Sequence, residues 1–437
     1  MNLSPCRKHA TALLSGTIAL GTAAAVAAPA AVAAPAAVAA PAAVAAPAAL
    51  AAPAGAAEPA GSRPPPLRAG DVVAVEEETR VPASEVRESL GRARIDSSRV
   101  RYDVTRYRVL YRTTDDTGAP VTASQLVVLP HNGTRTLPVV SWLHGTSVHK
   151  GEAASVNPDS GDRRTALFFA SAGKAVSAPD YVGLGKGEGL HPYGDPAATV
   201  AAAVDALRAA RTVARDEGRD LRRAVDISGF SQGGPAAMMV GRALQEERAD
   251  PYFRPGALAP VGGPFELSAF EAAAANDAID RSAIYLAYFT VAWNRMYGLY
   301  DSPAEAFRAP YDQTVEGLFD GLHTGPEILR ELPAASKDLF TEEFLDRVRE
   351  PGGVLKRKLH ALDNTCDWRP DVPVRIFHGT GDRDVTPEHA AYCDDQLAAN
   401  GARHARIEVP APDHNTSVRK ALPLVADFFD RRESPAA

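Results

Sequence analysis

The sequence predicts an α/β fold: a mostly parallel central sheet flanked by helices, with a mainly helical cap inserted between late strands. Three observations point there. Short apolar runs such as Val139–Leu143 and Ala224–Ser228 alternate with helical patterns such as Pro196–Arg215, as a parallel sheet with crossover helices requires. The alternation stops near Pro264 and resumes at Val374, leaving residues 265–365 as a helical insertion rich in aromatics. A serine turn, Gly229-Phe230-Ser231-Gln232-Gly233, falls where a strand passes into a helix.

Taken in order, Tyr107–Tyr111 and Ser124–Leu129 are β-rich and flank the turn signal TTDDTGAP, which makes them a hairpin. Val139–Leu143 (VVSWL) has the continuous apolar character of a buried parallel strand. Thr165–Ala172 reads as a helix and Lys174–Ala178 as a strand, followed by the glycine-rich loop DYVGLGKGEGLHPYG. Pro196–Arg215 is helical, Ala224–Ser228 a strand, Gln232–Arg248 a helix and Leu258–Val261 a strand. After the insertion come the strand Val374–Phe377, the helix Glu388–Leu397, the strand Arg406–Val409 and the helix Ser417–Phe429.

The 437 residues are 45% hydrophobic and 23% charged, an ordinary globular balance with material for a sizeable core. A net charge of −7 and no basic block argue against a nucleic-acid partner. Residues 1–27 read as a signal peptide. Arg7, Lys8 and His9 precede the small apolar stretch Ala10–Ala24, and cleavage sites such as Ala25-Val26-Ala27 follow. A membrane anchor is the competing reading; prolines from Pro29 onward interrupt any span of sufficient length, so no stable membrane insertion is expected. Residues 28–53 repeat APAAVA with proline at every sixth position from Pro29 to Pro53, which prevents a continuous helix and supplies too little apolar area to fold, and the tract continues through Gly61–Pro66. Residues 28–66 are expected to be a disordered spacer. The α/β core is then 67–264 and 366–432, and secretion is the expected localisation. Cys6 leaves with the signal, so Cys366 and Cys393 are expected to form one disulfide, with two buried free thiols as the alternative. No CxxC or HxxxH pair suggests a metal.

The serine turn matches G-x-S-x-G, the nucleophile elbow of the α/β-hydrolase fold. A serine hydroxyl needs a base, and in this fold the order is Ser, acid, His. Catalytic groups gather at the C-terminal ends of the parallel strands. His414 follows the last strand by a short loop and meets that condition, while His404 precedes the strand and does not. The acid is expected in the loop His378–Pro387, where Asp382 is favoured and Asp384 competes. The acid fixes the imidazole tautomer and stabilises the imidazolium. The oxyanion that develops on an attacked carbonyl needs backbone donors. The N–H of Gln232 is one candidate. Thr146, in the His144-Gly145-Thr146 loop after the third predicted strand, is the other, with the His144 side chain bracing the loop.

The segments YRTTDDTG, PVVSWLHGT, APDYVGLGKGEGLHPYG, GFSQGG, HGTGDRDVTP and PDHNTS, in this order, resemble the bacterial branch of the secretory lipase family. The family includes Candida antarctica lipase A, and the likeness runs from about Tyr107 to Phe429. The resemblance implies an ester hydrolase in which 265–365 form a lid or cap and the loop around Asp180-Tyr181 lies beside the active site. Within the cap, Ile284–Trp293 (IYLAYFTVAW) is a candidate acyl-binding wall, or simply packs the cap on the core. Tyr181, Tyr285, Phe289 and Trp293 are the candidate substrate contacts.

The function these readings favour is a secreted serine ester hydrolase, lipase or esterase, working through an acyl-enzyme on a small ester or lipid. It is expected to be monomeric and to need no cofactor or metal. A serine peptidase or acyltransferase could use the same three side chains. A non-catalytic binding module would require a broken triad, and all three groups are present.

Overall fold

The computed structural model describes residues 67–433. The signal peptide expected in 1–27 and the spacer expected in 28–66 lie outside them. The chain builds a nine-stranded sheet in the order β1-β2-β3-β5-β4-β6-β7-β8-β9. The strands are β1 (Val72–Val81), β2 (Val104–Thr114), β3 (Pro120–Pro130), β4 (Thr136–Leu143), β5 (Ala175–Pro179), β6 (Asp220–Phe230), β7 (Arg254–Val261), β8 (Val374–Gly379) and β9 (His404–Val409). β1, β2 and β3 pair antiparallel, β3 pairs antiparallel with β5, and β5, β4, β6, β7, β8 and β9 are parallel. The predicted hairpin is β2–β3, with Tyr111 opposite Ala123.

The strand period of two divides the core. On one face Val139, Ile227 and Leu258 pack against α3 (Pro196–Asp216) and α4 (Gly233–Gln245). On the other, Val140, Trp142 and Val261 pack against α2 (Gly161–Ser171), which follows α1 (Ala83–Arg92), and against α14 (His414–Glu433). α2 begins at Ser160, whose side chain accepts from the N–H groups of Asp162 and Arg163. α3 begins at Asp195, which accepts from Ala198 N–H, with Pro196 in its first turn.

Two elements escaped the sequence reading, β1 and α1. β1 carries Glu76-Glu77-Glu78 and breaks register with β2 twice, which removes the clean alternation that marks a strand. Its presence makes the strand before His144 the fourth, not the third.

Between β7 and β8 the chain forms eight α-helices among the described residues: α5 (Leu267–Ala275), α6 (Ser282–Tyr297), α7 (Pro303–Ala306), α8 (Val315–Leu318), α9 (Gly325–Glu331), α10 (Ser336–Leu339), α11 (Glu342–Arg349) and α12 (Gly353–Asp363). They enclose their own apolar core, built on Phe289, Trp293, Phe307, Phe340 and Phe344. Burying side chains of this size contributes roughly 1.5–3 kcal/mol each. No helix among the described residues is long and apolar enough to cross a membrane.

Cys366 and Cys393 form a disulfide that ties the end of this insertion to α13 (Pro387–Ala399). The bridge closes a loop with a sequence separation of 27, worth roughly 3 kcal/mol on a chain-entropy account. Replacing both cysteines with serine is expected to lower the unfolding free energy measured in urea by about that amount, with a lower midpoint. An unchanged midpoint would show that the bridge adds nothing.

Candidate active site

The serine turn is made by backbone contact. β6 ends at Phe230 and α4 starts at Gly233, so the reversal takes two residues. A Cβ on Gly229 would stand 2.1 Å from the Gly233 carbonyl oxygen, and one on Gly233 would stand 2.0 Å from that of Leu143. Neither position admits a side chain. Ser231 is consequently driven to φ 56°, the left-handed region that non-glycine residues rarely occupy. Two backbone hydrogen bonds hold it there: Ser231 N–H donates to Val261 O at 3.0 Å, and Gly234 N–H donates to Ser231 O at 2.8 Å.

His414 opens α14, immediately beyond the loop that follows β9. Its Nδ1 donates to Asp382 Oδ2 at 2.6 Å. The other carboxylate oxygen of Asp382 accepts the N–H groups of Asp384 and Val385, each at 3.0 Å. With Nδ1–H committed to the carboxylate, Nε2 carries the lone pair. It is buried with no hydrogen-bond partner among the described residues. The His414 ring packs on Phe230, centroid to centroid 4.4 Å. Ser231 and His414 face one cavity of about 830 Å³.

The competing aspartate points the other way. Asp384 Oδ2 accepts from Arg281 at 3.0 Å and from the Tyr285 hydroxyl at 2.8 Å, both from the insertion. The pair His414–Asp382 is therefore the one the fold assembles, and Asp384 fastens the loop after β8 to the insertion. His404, as expected, opens β9 at the far end of the strand.

Gly145 abuts the turn: a Cβ there would lie 3.2 Å from Ser231 Cβ. The neighbouring Thr146 also faces the large cavity, and its hydroxyl shares a 2.9 Å hydrogen bond with Tyr193. The ring nitrogens of His144 lie 2.6 Å from Gly145 O and 3.1 Å from Asp180 O, so this side chain does brace the loop. Asp180 is fully buried, which pushes its carboxyl pKa up, and accepts from Ser124 Oγ at 2.6 Å and Ser155 N–H at 3.1 Å.

The four candidate substrate contacts separate. Tyr285 lines the large cavity, together with Ile284 and Tyr288. Phe289 lines a second, smaller one. Trp293 is 0% exposed and donates through Nε1–H to Tyr193 O at 3.1 Å, so it belongs to the cap core. Tyr181 is 1% exposed and at φ 65°; its ring lies 4.2 Å from His144, behind the loop and outside the cavity wall. The reason is helical spacing: Ile284, Tyr285 and Tyr288 share one side of α6, whereas Phe289 and Trp293 share another. Sequence reading missed His191 and Tyr193. His191 Nδ1 lies 2.9 Å from Val182 O, and burial pushes the ring pKa down to about 3. Tyr193 stacks on Tyr288 at 4.2 Å. Both sit in the glycine-rich loop, where no periodicity marks an inward side chain. Among the described residues no group of three or more His, Cys, Asp or Glu side chains could hold a metal.

A serine at a strained strand-to-helix turn, on a parallel sheet with a helical insertion before the last strands, defines the α/β-hydrolase fold. Solved structures agree. A protein of Legionella pneumophila named as a hydrolase is 24% identical with a TM-score of 0.76, covering 83% of this chain and 99% of that one. The rice cell wall degrading esterase LipA from Xanthomonas oryzae is 25% identical with a TM-score of 0.70, covering 84% and 96%. Candida antarctica lipase A in its closed state is 16% identical with a TM-score of 0.61, covering 85% and 84%. The α/β-hydrolase fold is thus shared with esterases and lipases. No family model matches the chain, and no curated protein matches it.

Gly233→Ala must move the Leu143 backbone, so the variant is expected to lose soluble expression or, where it folds, to show a disturbed site in its crystal structure. A well-folded Gly233→Ala protein with unmoved Leu143 would refute the close-approach account.

Proposed function

We propose that this chain is an exported serine ester hydrolase acting through Ser231, His414 and Asp382. The observation that carries the reading is the 2.6 Å hydrogen bond from His414 Nδ1 to Asp382, which leaves Nε2 unpaired beside the cavity that Ser231 also lines. In the proposed mechanism Ser231 Oγ attacks the ester carbonyl carbon and its proton passes to His414 Nε2. Asp382 stabilises the resulting imidazolium without taking the proton. The N–H groups of Gln232 and Thr146 hold the oxyanion. His414 then protonates the departing alkoxide. Water attacks the acyl-enzyme, giving up its proton to His414, and collapse of the second tetrahedral intermediate releases the acid and free Ser231.

The esterase and lipase neighbours support an ester as substrate. A cavity of about 830 Å³ lies within the range of small-molecule sites. The domain reading is that residues 1–27 direct export, 28–66 form a spacer, 67–264 and 366–432 form the catalytic core, and 265–365 cap it. The Cys366–Cys393 disulfide suits an oxidising, extracellular setting.

Two experiments test this. Ser231→Ala is expected to abolish p-nitrophenyl butyrate hydrolysis and labelling by a fluorophosphonate; retained turnover refutes the nucleophile. Asp382→Asn is expected to lower kcat by about 10⁴-fold, the scale for losing the orienting acid of such a triad. Asp384→Asn should cost far less, since its partners are Arg281 and Tyr285. A reversed order of the two would move the acid to Asp384.

A further inference from the structure

Behind the serine turn lies the smaller cavity, about 40 Å³, which shares no lining residue with the large one. Its wall brings together Gln232, the residue after Ser231, and Glu271 of α5. Each has a buried oxygen without a hydrogen-bond partner among the described residues, Gln232 Oε1 and Glu271 Oε2. Native proteins satisfy nearly all buried polar atoms, so these two require an explanation.

The chemistry of the neighbours orients both groups. His191 Nδ1 faces the Val182 carbonyl at 2.9 Å; a carbonyl only accepts, so Nδ1 holds the hydrogen. Burial keeps the ring neutral, with its pKa pushed down to about 3, so Nε2 bears a lone pair. Gln232 Nε2 stands 3.3 Å from that lone pair and donates to it. The amide is thereby fixed with Oε1 turned away from His191, as an acceptor. Glu271 is 1% exposed, and burial alone drives its carboxyl pKa well above the ordinary range, which keeps it a donor.

The other titratable groups around Glu271 are engaged elsewhere. α5 packs against α6, α10, α11 and α12. On α6, Tyr285 is bonded to Asp384, Tyr288 to Ser147 O, Arg295 to Phe319 O and Tyr297 to Asp195. On α10, Lys337 and Asp338 are exposed. On α11, Arg349 pairs with Glu342 and Asp346, and Arg347 bonds Leu299 O. On α12, Asp363 accepts from Ser268 N–H and Lys358 lies over the Tyr297 ring. Tyr193 is the neighbour that feels Glu271, which adds to the burial that raises its hydroxyl pKa.

A bridging water needs roughly 10–15 Å³ of such space, so a cavity of about 40 Å³ has room for two or three. We propose that Glu271, as a neutral carboxylic acid, donates through water to Gln232 Oε1. This completes a relay His191–Gln232–water–Glu271 that holds the residue whose backbone N–H serves the oxyanion. Glu271 is a positioning residue, and its effect on turnover rests on the Ser231 reading above.

The test uses Glu271→Gln and Glu271→Leu in p-nitrophenyl butyrate hydrolysis from pH 6 to 10. Glu271→Leu is expected to lower kcat about tenfold with little change in KM, the scale of one lost hydrogen bond. Glu271→Gln retains a donor and is expected to restore most of the rate. In the full-length wild type, ionisation of Glu271 as pH rises removes its donor, so kcat should fall on the alkaline side. Glu271→Gln should lack that fall. Wild-type kcat in Glu271→Leu, or identical alkaline limbs in wild type and Glu271→Gln, overturns the relay. A readout independent of hydrolysis is urea unfolding of Glu271→Leu, Gln232→Leu and the double variant. The relay requires the double to lose less stability than the two singles added; strict additivity overturns it. Should Ser231→Ala retain activity, the mechanism above fails while this cycle still decides the relay.

Discussion

The site depends on how closely three backbone segments approach at one point of the sheet. Gly229, Gly233 and the Leu143 carbonyl leave no room for a Cβ, and Ser231 is held at φ 56° as a result. A non-glycine residue in that region costs about 1–3 kcal/mol and persists only where its surroundings over-determine it. Here the surroundings are parallel strands in register. Leu143 of β4 lies opposite Gly229 of β6, and Phe230 lies opposite Val261 of β7, whose carbonyl receives the Ser231 N–H. The core on both faces of the sheet fixes that register, since a one-residue slip would exchange Val139 and Val140 between faces. The strain at one serine is thus supported by burial spread across the domain.

The same rim joins the sheet to its insertion. Asp382 and Asp384, two residues apart, face opposite ways: one carboxylate holds His414, the other holds Arg281 and Tyr285. Asp384 is buried while Arg281 is half exposed, so the ion pair itself contributes modest stability. Its consequence is geometric. A displacement of α6 pulls on Asp384, and the Asp384 N–H is one of the two donors that orient Asp382. The insertion and the loop after β8 are therefore linked, and the link passes within one hydrogen bond of the histidine.

Much of this was legible in the sequence because the features involved are local. Strand β6, the glycines and helix α4 are contiguous, and β8 and β9 are short strands followed by loops that lead to Asp382 and His414. The continuous apolar run Val139–Leu143 needs no partner to be recognised. What stayed hidden depends on contacts across long separations or on charge. β1 hides behind three consecutive glutamates. Trp293 and Tyr181 have the composition of pocket residues, yet they face a cap core and a loop interior that only the assembled fold defines. His191 and Glu271 carry no pattern at all, because a single inward polar residue in a loop or helix looks the same as one facing water.

Around the proposed catalytic pair the hidden groups share one property. Burial pushes the His191 ring pKa down to about 3 and raises those of Glu271, Tyr193, Tyr285 and Tyr288. Burial thereby holds His191 and Glu271 uncharged near neutrality and keeps the three tyrosines protonated further into the alkaline range. Tyr285 and Tyr288 line the large cavity, while Tyr193 and Glu271 line the smaller one behind the serine turn, so in the proposed reaction a charge formed on an ester oxygen would meet fixed dipoles on that side of the site. Ionised neighbours in the same positions would screen or compete with that charge. The burial behind these shifts comes largely from the core that the insertion shares with Tyr193, so packing and electrostatics at this site are set together.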